Sequence, residues 1–288
     1  MILVTGATGN LGKATINSLL NRGIAPSDIT ALVRDETKAA ELKLKGVRIK
    51  VGDYQDYKSL KSAFQDVDKL LLVSSSSDIV NRFEQHKNAI NAAKETGVGH
   101  IIYTSFDMKS LQQSIMGEEV RYHVYTADYL KQTGIPYTLM DNTMYADMIP
   151  FLVGKDVLNN GISTPAGDGR TPFLPIIEMA EANAVVLTTP GHENKEYTIA
   201  AETAFSFSEI ADLLSDITGE TIAYNQPEVS SYIAQLIQTG ASEEDAAYIA
   251  RFCGAIADGE FDTNRSDLKQ LLGRNPVSLK GFLQNIYS

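Results

Sequence analysis

The chain has 288 residues, 43% hydrophobic and 21% charged, enough apolar material for one large domain or for a domain with a smaller appendage. Its 36 acidic and 25 basic residues leave a formal charge of −11, which opposes a general affinity for nucleic acid or an anionic membrane surface. No apolar run approaches membrane-spanning length.

The first predicted element is a short strand, Ile2-Leu-Val-Thr5, which runs into Gly6-Ala-Thr-Gly9-Asn-Leu-Gly12 and then into a helix over Lys13–Leu20. A strand that ends in glycines and feeds a helix brings backbone N–H groups and the positive helix end up to a pyrophosphate. Gly6 makes the tight turn, Gly9 lets the backbone approach the phosphates, and Gly12 lets the helix pack on the strand. Thr8, Asn10 and Leu11 complete the expected cofactor-binding turn. Ile29–Val33 reads as a second buried strand, Thr37–Lys45 as a charged surface helix, and Val47–Val51 as a third strand. Ser59–Phe64 is helical, and Lys69–Val73 is a fourth strand, apolar without alternation, as suits a parallel sheet covered on both faces. A helix over Asn81–Thr96 ends at Gly97; a strand at Ile101–Thr104, a helix over Glu118–Gln132 ended by Gly134, and a strand at Pro136–Met140 follow. The alternation predicts an α/β fold with a Rossmann-type doubly wound parallel sheet.

The second half breaks the rhythm. Ala166-Gly-Asp-Gly169, Pro172, Pro175, Pro190 and Gly191 mark a loop-rich region, Glu196–Ile199 reads as one more strand, and the chain from Ser206 onward is mostly helical, with Ser206 and Ser208 as N-cap candidates. We therefore expect a nucleotide-binding domain over 1–150 and a smaller, mostly helical, substrate-covering part over 151–288.

At the end of the second strand an NAD enzyme usually carries an acid for the ribose hydroxyls, and an NADP enzyme a nearby cation for the extra phosphate. Here Arg34 follows the apolar run and Lys38 comes one turn later, a pair that favours NADP, with NAD as the alternative. Asp35 is better read as a helix N-cap than as a ribose contact.

Gly6–Gly12, Leu32-Val-Arg34, Gly52-Asp53-Tyr54, Leu71-Leu-Val-Ser-Ser-Ser76, Ile102-Tyr-Thr-Ser105 and Pro136-Tyr-Thr-Leu139, in this order, resemble the NmrA-like atypical short-chain dehydrogenase/reductases. Within that group the likeness is to NAD(P)H-dependent quinone reductases and triphenylmethane dye reductases. The resemblance implies that Asp53, with Tyr54 beside it, accepts a hydrogen bond from adenine, that Ser74, Ser75 and Ser76 line the cofactor's path, and that Asn142 and Tyr145 line the nicotinamide and substrate region. Asp53 also reads as a turn cap and the serines as a solvated loop. Asp141 departs from the family pattern, which tends to carry Arg there, so the charge beside the pocket is expected to be inverted.

Typical short-chain reductases place Tyr-x-x-x-Lys on the helix after the fifth strand, where Lys lowers the Tyr pKa for proton transfer. Here Tyr122 is followed by Thr126 and Tyr125 by Tyr129, with no lysine in register. The spacing at Tyr54/Lys58 and Tyr57/Lys61 lies after the third strand and reads as surface pairs. Hydride transfer to a quinone-like or other conjugated acceptor fits this absence, since the arriving electrons spread over the acceptor and protons can come from water. Tyr145, Tyr103 and Tyr125 read as packed aromatics that could also donate. An NADP-sensing regulatory protein is the alternative function, and a nucleotide-sugar epimerase ranks last.

The four histidines, His86, His100, His123 and His192, have no metal-ligand spacing and read as surface or capping groups; no metal is expected. Cys253 is the only cysteine and reads as a buried small residue, which excludes an intrachain disulfide. The first strand begins at Met1 or Ile2, leaving no room for a signal or transit peptide, and the expected location is the cytoplasm. The expected partner is a small-molecule acceptor, without nucleic acid or membrane, and a homodimer is compatible with the reading.

Overall fold

The computed structural model describes residues 1–75, 81–154 and 156–288. Seven strands, β1 (Ile2–Val4), β2 (Ile29–Val33), β3 (Arg48–Val51), β4 (Lys69–Leu72), β5 (His100–Phe106), β6 (Tyr137–Asn142) and, past the short β7 (Ile162–Ser163), β8 (Lys195–Ile199), form one sheet. Their order is β3-β2-β1-β4-β5-β6-β8 and every pairing is parallel. The chain crosses over between β1 and β4, whose carboxyl ends therefore diverge into a crevice, the position where open parallel sheets take ligands.

Alternate residues of the strands feed two different cores, as the period of two requires. Leu3, Leu70, Leu72, Ile101, Tyr103 and Leu139 pack under α3 (Tyr57–Ala63), α4 (Arg82–Thr96) and α5 (Glu118–Gln132), with Leu60, Ala89 and Leu130 as helix partners. Val4, Leu71, Ile102 and Met140 face the other way, toward α1 (Asn10–Asn21), α2 (Ala40–Leu44), α8 (Ile176–Thr188) and α12 (Leu268–Leu272). A third core joins Met108, Met116 and Met144 to α9 (Phe207–Thr218), α10 (Val229–Gln238), α11 (Glu243–Ala257) and α13 (Leu279–Tyr287). The short α6 (Ile149–Val153) and α7 (Val157–Asn160) lead into this part, and β7 pairs with β9 (Tyr224–Asn225) inside it.

Several elements differ from expectation. The region read as loop-rich contains α8, bracketed by Pro175 at its N-cap and Pro190 beyond its end. Ten of its residues from Ile176 to Leu187 are buried, including Glu178 and Asn183, so it shows no amphipathic stripe for a sequence pattern to reveal. With β8 it returns to the sheet, so residues beyond 150 contribute to both parts of the molecule. The helix expected over Thr37–Lys45 splits into a 3-10 turn, Glu36–Ala39, and α2. Ser206 caps α9 through a reciprocal box with Glu209, while Ser208 lies inside the helix. Gly97 ends α4 in the left-handed region as expected. Among the described residues no helix is long and apolar enough to cross a membrane.

Candidate functional site

The glycine turn has the geometry its spacing implies. Gly6 sits at φ +57°, where a side chain is strained, and Gly9 donates its N–H to the Gly6 carbonyl at 2.9 Å. A Cβ at Gly12 would lie 2.4 Å from the Gly6 oxygen, so only glycine lets α1 seat on the turn. Gly9 is the N-cap of α1, with no side-chain cap and no acid in the first turn, and Thr8, Gly9 and Asn10 are exposed while Leu11 and Gly12 are buried. The leading N–H groups of α1 thus point outward at the end of β1, ready for an anion.

Beneath the turn lies a hydrogen-bonded knot that holds β1 to β4. Thr5 Oγ1 donates to the Leu71 carbonyl at 3.0 Å and accepts from the Val73 N–H at 2.8 Å. The Tyr54 hydroxyl lies 2.5 Å from Thr5 Oγ1 and 2.7 Å from the Val73 carbonyl oxygen. Tyr54 precedes α3 and aims inward, which corrects its reading as half of a surface Tyr/Lys pair; burial raises its pKa above that of an ordinary phenol. Tyr57 and Lys61 do form a surface pair, both bound to Glu95.

At the end of β2, Arg34 and Lys38 are exposed, and the Lys38 charge reaches the neighbouring Asp35 carboxylate without a close ion pair between them. Asp35 is occupied as the expected cap, accepting from the Thr37 N–H at 2.9 Å and hydroxyl at 2.6 Å, which lowers its pKa. Asp53 Oδ1 accepts from the Gln55 N–H at 2.8 Å, the turn-cap role.

The serine segment after β4 is anchored by groups that local sequence does not announce. The Ser74 N–H donates to Thr104 Oγ1 at 2.9 Å, and the Ser75 N–H donates to His86 Nε2 at 2.9 Å. With Nε2 accepting, the proton of His86 sits on Nδ1 and is donated to Thr126 Oγ1, 2.9 Å away, which itself donates to the Tyr122 carbonyl at 2.7 Å. The Ser75 hydroxyl donates to Gln85 Oε1 at 2.6 Å, so its oxygen is turned toward α4. Ser76 lies outside the described residues.

The histidines are therefore not surface groups. His86, His100 and His123 are all buried, and burial pulls the pKa of His86 down to about 3 and that of His123 well below its ordinary value. Burial keeps them neutral; His123 Nδ1 faces the Tyr103 hydroxyl at 3.0 Å, whereas His100 Nδ1 has no hydrogen-bond partner among the described residues. His192 is half-buried between Thr189 and Tyr197, also away from any metal-like cluster. Among the described residues no group of His, Cys, Asp and Glu could hold a metal ion. Cys253 is buried as expected, and burial pushes its thiol up to about 11.

Asn142 is the last residue of β6 rather than a loop residue, and it is 2% exposed. Neither its Oδ1 nor its Nδ2 has a hydrogen-bond partner among the described residues, and the same holds for Thr143 Oγ1. An orphaned amide costs on the order of 1–3 kcal/mol per group, a cost that a bound ligand or an ordered water would relieve. This orphaned pair, together with the glycine cradle, fits a dinucleotide whose carboxamide end reaches β6. Tyr145 follows, its pKa pushed up to about 12 by burial, with Tyr122 and Asp147 adding to the effect.

Asp141 lies on the opposite side of β6 from Asn142, so its charge does not enter that space. It lines a cleft of about 370 Å³ with Asp107, Lys109, His123, Lys131 and Arg265. Burial pushes its carboxyl up to about 6; a hydrogen bond from Ser105 opposes the shift and the Glu196 and Asp107 charges reinforce it. Tyr103 is packed at 0% exposure, whereas Tyr125 is 42% exposed and meets Phe83 edge-on, so it is only partly packed.

The site residue that sequence reading missed is Arg82, at the start of α4, whose guanidinium lies over the Tyr122 ring, 4.8 Å from its centre. The two residues stand on different helices, and no spacing rule links them.

The sequence profile of the NmrA-like family matches residues 1–283. The chain is 33% identical to quinone oxidoreductase 2 of Escherichia coli over 290 residues, covering 100% of this chain and 99% of that protein. Its fold matches the crystal structure of the Citrobacter sp. triphenylmethane reductase complexed with NADP(H) at a TM-score of 0.92, with 34% identity over 99% of each chain. It matches the NADPH complex of the Escherichia coli NADPH-dependent quinone oxidoreductase at 0.90, with 32% identity over 100% of each chain. With the family profile spanning nearly its whole length and relatives aligned end to end, the chain belongs to the NmrA-like family.

Proposed function

We propose that the protein is an NADPH-dependent reductase that passes hydride to a quinone-like or other conjugated acceptor. The observation that carries this reading is the coincidence of a glycine cradle at the end of β1 with an orphaned, buried amide at Asn142 at the end of β6, on the same carboxyl edge of the sheet. The relatives named for NADPH-dependent quinone and dye reduction, aligned over the full chain, support it.

NADPH bound there supplies the hydride. In this reading Gly6, Thr8, Gly9, Asn10, Leu11 and Gly12 hold the pyrophosphate, Arg34 and Lys38 the 2′-phosphate, and Asp53 the adenine, with Tyr54 acting from below by fixing Thr5 and Val73. Ser74 and Ser75 line the path, and Asn142 and Tyr145 orient the nicotinamide end. Residues 1–150 carry the cofactor, and residues 151–288 supply most of the cover, with α8 and β8 completing the sheet layer. The net charge of −11 argues against a nucleic-acid partner, and the single buried cysteine suits a cytoplasmic location.

The test is NADPH oxidation by the purified protein with a panel of quinones and cationic dyes. Turnover with at least one acceptor class supports the reading. Measurable NADPH binding with no turnover of any acceptor would move the protein to the cofactor-sensing class, and an epimerase activity is disfavoured by the lack of Tyr-x-x-x-Lys on α5.

A further inference from the structure

Tyr122 is 6% exposed and stands in the first half of α5. The Arg82 guanidinium covers its ring at 4.8 Å, and His86, which packs on the same ring, holds the Ser75 N–H of the cofactor path at 2.9 Å. Tyr145 lies close enough for the two phenols to influence one another's ionisation. His123 and His86 pack on the ring with centroids at 4.1 and 5.7 Å, and both are held neutral by burial, so Arg82 is the cation that acts on it at close range among the described residues.

We propose that Tyr122 is the proton donor of the reduction and that Arg82, reaching across from α4, performs the positioning task that a lysine four residues along the same helix performs in ordinary short-chain reductases. This rests on the reductase reading above. The acceptor takes two electrons and one proton as hydride from NADPH. Its oxygen takes the second proton as the Tyr122 O–H bond breaks, and the phenolate left behind is stabilised by Arg82 and re-protonated from water, giving NADP+ and the reduced acceptor. Burial raises the Tyr122 pKa, and Arg82 and Ser74 act against that rise. A guanidinium suits the task because it stays charged at every working pH. Thr126 stands where the lysine would be, and its hydroxyl is already committed to His86 and to the Tyr122 carbonyl.

Two measurements on the full-length protein test the assignment. In the first, Tyr122→Phe is compared with wild type on a quinone, whose oxygen must gain a proton, and on a cationic triphenylmethane dye, whose carbon centre is neutralised by hydride alone. The quinone-to-dye rate ratio is expected to fall about 100-fold, the scale of general acid catalysis. In the second, cofactor-free protein carrying fluorotyrosine is titrated by fluorine NMR, with the Tyr122 signal identified by its loss in Tyr122→Phe. Arg82→Met is expected to move that titration up by about one pH unit, and Arg82→Lys to restore most of the difference. An unchanged rate ratio, or a Tyr122 titration indifferent to Arg82, overturns the proposal while leaving the reductase reading intact. A wild type that binds NADPH and reduces nothing removes the reductase reading, and the donor assignment with it.

Discussion

The α-carbon of Gly12 is pressed against the peptide of Gly6, so closely that a Cβ would come within 2.4 Å of its oxygen and 2.8 Å of its carbonyl carbon. Both contacts are to backbone, which cannot swing aside. Gly12→Ala is therefore expected to destabilise the fold by about 1–3 kcal/mol and to weaken NADPH binding, because α1 must shift away from the turn. At Gly9 the corresponding contact is 3.2 Å and φ is −81°, so Gly9→Ala should fold nearly as well as wild type. Denaturation midpoints and NADPH fluorescence titrations of the two variants check the contrast; equal stability losses would contradict it.

Arg34 tests the cofactor assignment. Removing a charged hydrogen bond to the 2′-phosphate costs about 1.5–3 kcal/mol, so Arg34→Ala should weaken NADPH by that amount and leave NADH nearly unchanged. Equal losses for both cofactors, measured by equilibrium titration, would contradict a phosphate contact.

Asn142 gives a prediction with two opposite signs. Its amide is buried without partners, so Asn142→Leu should stabilise the cofactor-free protein by about 1 kcal/mol. The same change should lower turnover at least about ten-fold if the amide positions the nicotinamide. Thermal melts and steady-state rates separate the two effects, and a variant that loses stability as well as activity would assign Asn142 a structural role instead.

Asp141 makes a pH prediction. Its carboxyl titrates at about 6 in the folded protein against an ordinary value of 3.8, so the native state binds the extra proton between those values. Stability is favoured below pH 3.8 and lost as the pH rises toward 6, and above 6 the buried charge is carried at a cost. Asp141→Asn should raise stability by about 1–3 kcal/mol at pH 7.5, and the gain should vanish near pH 4. Urea denaturation at the two pH values measures it, and a gain independent of pH would contradict the linkage.

The cofactor half of the fold was legible because its signals are local. Continuous apolar runs such as Lys69–Leu72 mark strands buried on both faces, and the glycine spacing encodes one turn whose three positions each have a separate steric reason. The helix α8 escaped notice for the opposite reason: a segment buried nearly all round has no polar stripe, and its flanking prolines imitate a loop. The buried histidines escaped because their environment is supplied at a distance. His86 is satisfied by Ser75 and Thr126, eleven and forty residues away, and nothing next to it in the chain foretells this. Arg82 escaped for the same cause, since a cation placed across two helices has no spacing signature. Asp141 stands out in the sequence, but the strand alternation that turns it away from Asn142 becomes visible only once β6 is known to continue through both residues.

Direct hydride transfer from bound NADPH to a conjugated acceptor leaves an isotopic trace in the product. NADPH deuterated at the transferable position of C4 is mixed with the protein and a cationic triphenylmethane dye, and the colourless product is weighed by mass spectrometry. One deuterium is expected on the central carbon of the product from one of the two C4 epimers. A reduced product without deuterium from either epimer would contradict it.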